Sequence, residues 1–370
     1  MGGRRRARAI AAAVASLVVL TPVGGQGGPL DEAWRAHTVR SEPATREEPS
    51  HPGVMHEWWY FTVQSPEGSC GPWQTMVTFL SDKETAKDML LFTAVVGDQT
   101  FDLSEEFLPG TLRSNTSDAG PGVGVWLEGS RAEGRLGVWS VEALSGGGRL
   151  TAYFEAEPAG TWRRAGPEGF GVLEITHVMR AKVTATLEIG ETVCEGAGSG
   201  YYEHVWGNWS RLPMWGVDYL NVHLDDGWSA YARRTPMRGE GNFYPAVGVE
   251  PKQWWPEVLL VSDGTHIYQA QSFSIQMTES EETVEGLGIK SPASYRIVGR
   301  LFTAPTGGTP PLHFEVDVTE PRLATILLPE TSSGILEGWG RAAGFVDAPA
   351  NRLTGTAEIE MQRYGTRYPR

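Results

Sequence analysis

Two short segments concentrate ionisable and aromatic side chains, His56-Glu57-Trp58-Trp59-Tyr60-Phe61 and Tyr201-Tyr202-Glu203-His204-Val205-Trp206-Gly207. A carboxyl group buried among apolar rings has its pKa raised, because burial disfavours the charged form. Glu203 and Glu57 are therefore candidates for an acid that is held neutral at rest. His204 could orient that acid or activate a water, and the π faces of Trp58, Trp59, Trp206 and Tyr231 could stabilise a developing cation. With His56, Tyr60 and Tyr202 these aromatic residues are the candidate ligand-binding set. In an extended chain Tyr202, His204 and Trp206 share one face and Glu203 takes the other, so a bend at Gly200 or Gly207 is needed to bring Glu203 and His204 to one cavity. Spacing alone favours a plainer alternative, in which the Trp residues are core and the His and Glu satisfy buried backbone groups.

Other machinery is excluded by pattern. His56-Glu57 begins like the zinc-protease motif, but its fifth position is Tyr60 rather than His. There is no Gly-x-Ser-x-Gly elbow and no phosphate loop, and the eight His do not cluster in sequence as metal ligands. No metal or nucleotide cofactor is expected. Lys and Arg number 31 against 45 Asp and Glu, a formal charge of -14, with no stretch basic enough to neutralise a phosphate backbone. Nucleic acid is not an expected partner. Trp 14, Tyr 11 and Phe 12 supply enough rings for either a core or the wall of a ligand cavity, and composition does not choose between them.

The elements that must position these residues read as strands. A chain of 370 residues exceeds what one core usually organises, which points to two domains. Apolar segments of six to nine residues are bounded by Gly, Pro, Asp or Asn, and Lys182 to Ile189 and Leu312 to Val318 alternate apolar with polar at every step. The best helical signal is Ser81 with Glu84 three residues on, a capping box opening a short helix to Met89. The expected class is all-β, two tandem antiparallel barrels or barrel-like sandwiches with few short helices. A weak echo between the hairpins at Trp59 to Trp73 and Asp218 to Trp228 places a boundary near 200–215.

At the N-terminus, four Arg between positions 4 and 8 precede an apolar run of 12 residues from Ala9 to Leu20, the layout of a secretory signal and too short to span a bilayer. The expected division is a signal peptide over 1–28, a linker over 29–50, an N-terminal domain over 51–207 and a C-terminal domain over 208–370. The mature protein is expected outside the cytoplasm without a stable membrane anchor, and the arginine cluster leaves twin-arginine export open. Cys70 and Cys194 are the only cysteines. An oxidising destination permits a bridge between them, and two buried thiols fit the sequence equally well.

The two aromatic segments, together with Glu337-Gly338 and Gly355 to Tyr364, resemble the carotenoid 1,2-hydratase (hydroxyneurosporene synthase) family and its secreted AttH-type, lipocalin-like relatives. The resemblance spans roughly residues 51–365 and implies two lipocalin-like β-barrel domains. It also implies a long apolar ligand, because family members include hydratases of acyclic carotenoids and cyclase or Diels-Alderase relatives. Hydration or cyclisation of an isoprenoid or polyene is the activity it suggests, and a non-catalytic carrier of a hydrophobic molecule is the alternative that the same barrels allow. Two positions depart from the pattern. Glu203 stands where Asp is common before the His, and Tyr231-Ala232-Arg233 stands where the hydratase branch has Tyr-x-Asp. Glu203 preserves the carboxylate, whereas Arg233 cannot supply a proton, since guanidinium keeps its proton throughout the accessible pH range.

Overall fold

The computed structural model describes residues 40–42, 50–51, 53–115, 122–135, 137–157, 161–168, 171–208, 217–234, 257–264, 266–284, 289–303, 312–328, 333–347 and 352–364. The expected signal peptide over 1–28 lies outside them. All regular structure among the described residues is β-strand. The first sheet takes β1 (Arg40–Glu42), β2 (His56–Gly68), β3 (Gly71–Asp82), β4 (Lys87–Val96), β5 (Gln99–Asp102), β6 (Glu105–Phe107), β7 (Arg113–Ser114), β8 (Val123–Leu127), β9 (Ser130–Arg135), β10 (Val138–Ser145), β11 (Gly148–Ala156), β12 (Thr161–Glu168), β13 (Gly171–Ile189) and β14 (Thr192–Asn208). The second takes β15 (Val217–Leu224), β16 (Ser229–Arg234), β17 (Val258–Ser262), β18 (Ile267–Val284), β19 (Ile289–Thr303), β20 (Leu312–Leu328), β21 (Ser333–Val346) and β22 (Arg352–Tyr364).

The first sheet follows the order β5-β4-β3-β2-β14-β13-β11-β10-β9-β8-β7, with β6 on β4, and β12 on β13 carrying β1. It curls on itself, because Phe79 and Phe92 near one end of the path share a core with Val125 and Ala132 near the other. The second closes fully as β22 returns to pair with β15, from Val217↔Gln362 to Leu224↔Gly355. Closure removes the exposed edges that an open sheet presents. Alternation decides what faces in: Val183, Ala185 and Leu187 enter the first core, and Phe314, Val316 and Val318 enter the second. The all-β, two-barrel expectation holds.

One local expectation fails. Ser81 belongs to β3 and no helix follows it, because Asp82 Oδ1 accepts the backbone N–H groups of Glu84 (3.0 Å) and Thr85 (3.3 Å), turning the chain into β4. Within the segment expected as a linker, Arg40, Ser41 and Glu42 pair in register with Arg163, Trp162 and Thr161. Cys70 and Cys194 form a disulfide with Cα atoms 5.2 Å apart, tying the β2–β3 turn to β14.

A third apolar cluster joins the sheets: Tyr60, Met76, Val95, Met179 and Tyr201 from the first meet Tyr231, Val258, Leu260, Ile267 and Trp339 from the second. His223 spans the same junction, with Nδ1 2.7 Å from Ser199 Oγ and Nε2 3.1 Å from the Met179 carbonyl. Burial, with the Arg180 charge acting in the same direction, lowers its pKa to about 3. A neutral ring donating from Nε2 to the carbonyl and accepting from the serine fits these partners.

Candidate functional site at the junction of the two sheets

β14 carries most of the candidate residues, and it runs without a break at Gly200. That residue is in register with Ala181 on one side and Val63 on the other. Its lack of a side chain answers a crowding problem, since a Cβ there would lie 2.5 Å from the Thr62 carbonyl oxygen and 2.6 Å from Val183 Cγ2. No bend brings Glu203 and His204 together. Pleating sends them to opposite faces and divides the candidate residues into two groups.

Trp58, Tyr60 and Glu203 look across the junction toward Tyr231. Glu203 is buried; its Oε1 accepts from Trp58 Nε1 at 3.0 Å and its Oε2 accepts from the Tyr201 hydroxyl at 2.6 Å. Tyr201 OH also hydrogen-bonds His177 Nδ1, which lies 3.5 Å from Glu203 Oε2. Because the phenol has one proton and gives it to Glu203, it accepts from His177 Nδ1–H. The result is a directed chain of proton donors from His177 through Tyr201 to Glu203. Burial, reinforced by the Glu203 charge, pushes the Tyr201 pKa well above its usual value, so a phenolate does not accumulate. The rings of Tyr201 and Tyr231 stack at 6.2 Å across the junction.

The facing barrel contributes acids. Glu358 and Glu360 on β22 border the same pocket as Glu203, Tyr201 and Tyr231, and Glu337 on β21 accepts from Thr93 Oγ1 at 3.4 Å. Burial raises the pKa of all three; the Glu360 charge adds to the rise of Glu337 and Glu358, and the Glu203 charge to that of Glu360, which reaches about 7. The pocket is closed down to ≈ 10 Å³ for the centre of a water-sized sphere, about one water. Its lining is under-satisfied: Asn221 is 4% exposed, and neither its amide oxygen nor its nitrogen, nor Glu358 Oε2, has a hydrogen-bond partner among the described residues. Arg233 is fully buried with its guanidinium 5.4 Å from the Tyr219 ring centre, so a fixed cation stands beside the pocket.

Glu57, Trp59, Tyr202, His204 and Trp206 occupy the other face, inside the first sheet. Here the rings pack against one another. Phe61 lies 5.0 Å from Tyr202, 5.3 Å from Trp139 and 5.5 Å from Phe154, and Trp59 stacks on His204 at 4.6 Å, so rings fill this interior as core. Glu57 accepts from His204 Nε2 (3.0 Å), the His51 backbone N–H (2.7 Å) and Ser50 Oγ (3.0 Å). Burial alone would raise its pKa, but the hydrogen bonds from His204 and His51 prevail and hold it at about 2. Glu57 thus keeps a charge rather than a deliverable proton. His56 is at the end of β2, 3.1 Å from Asp82 Oδ1, and takes no part in either group.

Tyr201, His177, Tyr219, Asn221, Glu358 and Glu360 are residues that sequence patterns did not single out. His177 stands alone in β13 and becomes a partner only through its register with Glu203. Glu358-Ile359-Glu360-Met361 alternates acid with apolar, and the same pattern describes a strand with one solvated face.

No family model and no curated protein matches the sequence. Solved structures do. A Nitrosomonas europaea protein described as an AttH candidate superposes with a TM-score of 0.59 at 14% identity, covering 94% of this chain and 100% of that one. Kievitone hydratase from Nectria haematococca gives 0.61 at 11% identity over 90% and 95% of the two chains. CghA gives 0.58 at 11% over 88% and 96%. The chain shares its fold with these proteins, in line with the AttH and hydratase resemblance carried by its motifs.

Proposed function

We propose that this chain is an exported catalyst that hydrates or cyclises an apolar isoprenoid or polyene held at the junction of its two sheets. The observation that carries the proposal is Glu203: a buried carboxyl at an under-satisfied pocket, fed by a proton path from His177 through Tyr201. Kievitone hydratase, with the same fold, is by name a hydratase. Glu203 accepts a proton from the Tyr201 hydroxyl as that hydroxyl takes one from His177 Nδ1 and Nε2 of the same ring takes up another, and Glu203 then delivers its proton to an alkene carbon. The π faces of Tyr201, Tyr231 and Trp58 stabilise the cation that remains. Capture by water, whose lost proton returns to Glu203, gives an alcohol; capture by a second alkene followed by proton loss to Glu203 gives a ring. Asn221 and Glu358 would satisfy a polar end of the guest. Because the pocket holds about one water, entry requires the Tyr219 and Tyr231 side chains to move. Export is supported by the N-terminal pattern and by the Cys70–Cys194 bridge, which an oxidising compartment preserves.

Arg233 favours a second reading, because a buried guanidinium beside the pocket opposes the formation of a carbocation. On that reading the chain carries an apolar molecule without changing it. Organic extraction of protein made in its own host, followed by mass spectrometry and incubation of the extract with wild type and Glu203→Gln, separates the two. Conversion by wild type alone supports catalysis; stoichiometric recovery of an unaltered guest on long incubation supports the carrier; an empty protein contradicts both.

A further inference from the structure

His51, Glu57 and His204 lie on the inner face of the first sheet, away from the junction pocket, and the proton path makes no use of them. Glu57 Oε1 is 3.0 Å from His204 Nε2 and 3.4 Å from His51 Nδ1, and the three atoms all fall within 4.8 Å of one another. Ligands each about 2 Å from a tetrahedral zinc ion stand about 3.3 Å apart, so small shifts suffice to centre the trio on one ion. The surroundings hold the ligands in place. Ser50 Oγ donates to the other carboxylate oxygen at 3.0 Å, Trp59 stacks on His204 with 13° between planes, and Trp206 stacks on His51 at 4.3 Å with 5°. The His204 side chain is fully buried, whereas that of His51 is 27% exposed, which opens one side of the trio to solvent.

We propose that His51, Glu57 and His204 bind a divalent transition-metal ion of the zinc class through three protein ligands, leaving a further position for water. Two imidazoles and one carboxylate form a donor set suited to such ions. Binding takes the neutral His204 ring as its Nδ1–H tautomer, with the proton of Nε2 moved to Nδ1 through solvent and the Nε2 lone pair on the metal. The ion would join the segment bearing Ser50 and His51 to β2 and β14. The other pairs of His with acid among the described residues, His56 with Asp82, His177 with Glu203, His266 with Asp263 and His313 with Glu315, each offer a single imidazole.

The test is calorimetric titration of the metal-free full-length protein with Zn²⁺, and visible absorption with Co²⁺, for wild type, His51→Ala and His266→Ala. Wild type is expected to take up one Zn²⁺ per chain, with affinity reduced at least about tenfold in His51→Ala and unchanged in His266→Ala. Circular dichroism of His51→Ala checks that the fold persists. Absence of saturable Zn²⁺ uptake, or equal affinity in wild type and a folded His51→Ala, would overturn the proposal and leave the trio as a hydrogen-bonded latch. Either result stands apart from the chemistry at Glu203, whose own assay is guest conversion.

Discussion

Glu203 and His204 are neighbours in sequence with different surroundings, because successive residues of a strand face opposite sides. One meets an unfilled pocket, the other a packed core. Replacing Glu203 by Gln keeps the shape and removes the transferable proton, so turnover is expected to fall roughly 10²–10⁴-fold while guest binding changes little. Tyr201→Phe interrupts the path from His177 and should produce a loss within the same range; steady-state assay beside a binding titration checks both, and full activity in the phenylalanine variant contradicts the path. Glu360 gives a pH test. Its folded pKa of about 7 lies above the ordinary 4.5, so the native state retains a proton that the unfolded chain releases between these values. Its contribution to stability is present below about pH 4.5 and is lost as pH rises through about 7, up to roughly 3 kcal/mol. Urea unfolding from pH 4.5 to 8 should show wild type losing stability relative to Glu360→Gln by up to that amount, and parallel curves contradict the buried, protonated state. His177 and Glu360 were not legible as site residues, because a lone His or an acid in an alternating strand reads the same on a solvated face.

Among the elements, the strands were legible where alternation was strict, as in β13 and β20, and the hairpins at Trp59 to Trp73 and Asp218 to Trp228 both form. Ser81 to Met89 was misread because Ser with Glu three residues on fits a helix start, while the Asp82 side chain here caps a tight turn instead. The straightness of β14 also went unseen, because Gly reads as freedom when its purpose is close packing. Gly200→Ala is therefore expected to destabilise the protein by about 1–3 kcal/mol through contact with Thr62 and Val183, measured by chemical unfolding. An unchanged midpoint contradicts that crowding. The disulfide closes a separation of 124 residues, and replacing both Cys70 and Cys194 by Ser should lower stability by about 2–5 kcal/mol, mainly by freeing the unfolded chain. Equal unfolding midpoints for wild type and the double variant under non-reducing conditions contradict it.

At the scale of the whole molecule, the sequence disclosed two β-rich halves and an apolar, aromatic interior, but not where an opening between them lies. Ring count is indifferent to that: Trp59, Phe61 and Tyr202 fill a core, whereas Tyr60, Tyr201 and Tyr231 meet across the junction, and only strand register separates the sets. Position relative to the two sheets decides whether an aromatic residue belongs to a core or lines the junction pocket. The junction also gathers Glu337, Glu358 and Glu360, so a guest entering there finds neutral acids as hydrogen-bond donors in an apolar setting. The direct measurement is a crystal structure of the protein with a bound conjugated polyene acid such as parinaric acid. The polyene is expected between the sheets, in contact with Tyr201 and Tyr231 and within reach of Glu203. A polyene seated inside either barrel, or no bound polyene at saturating concentration, would contradict it.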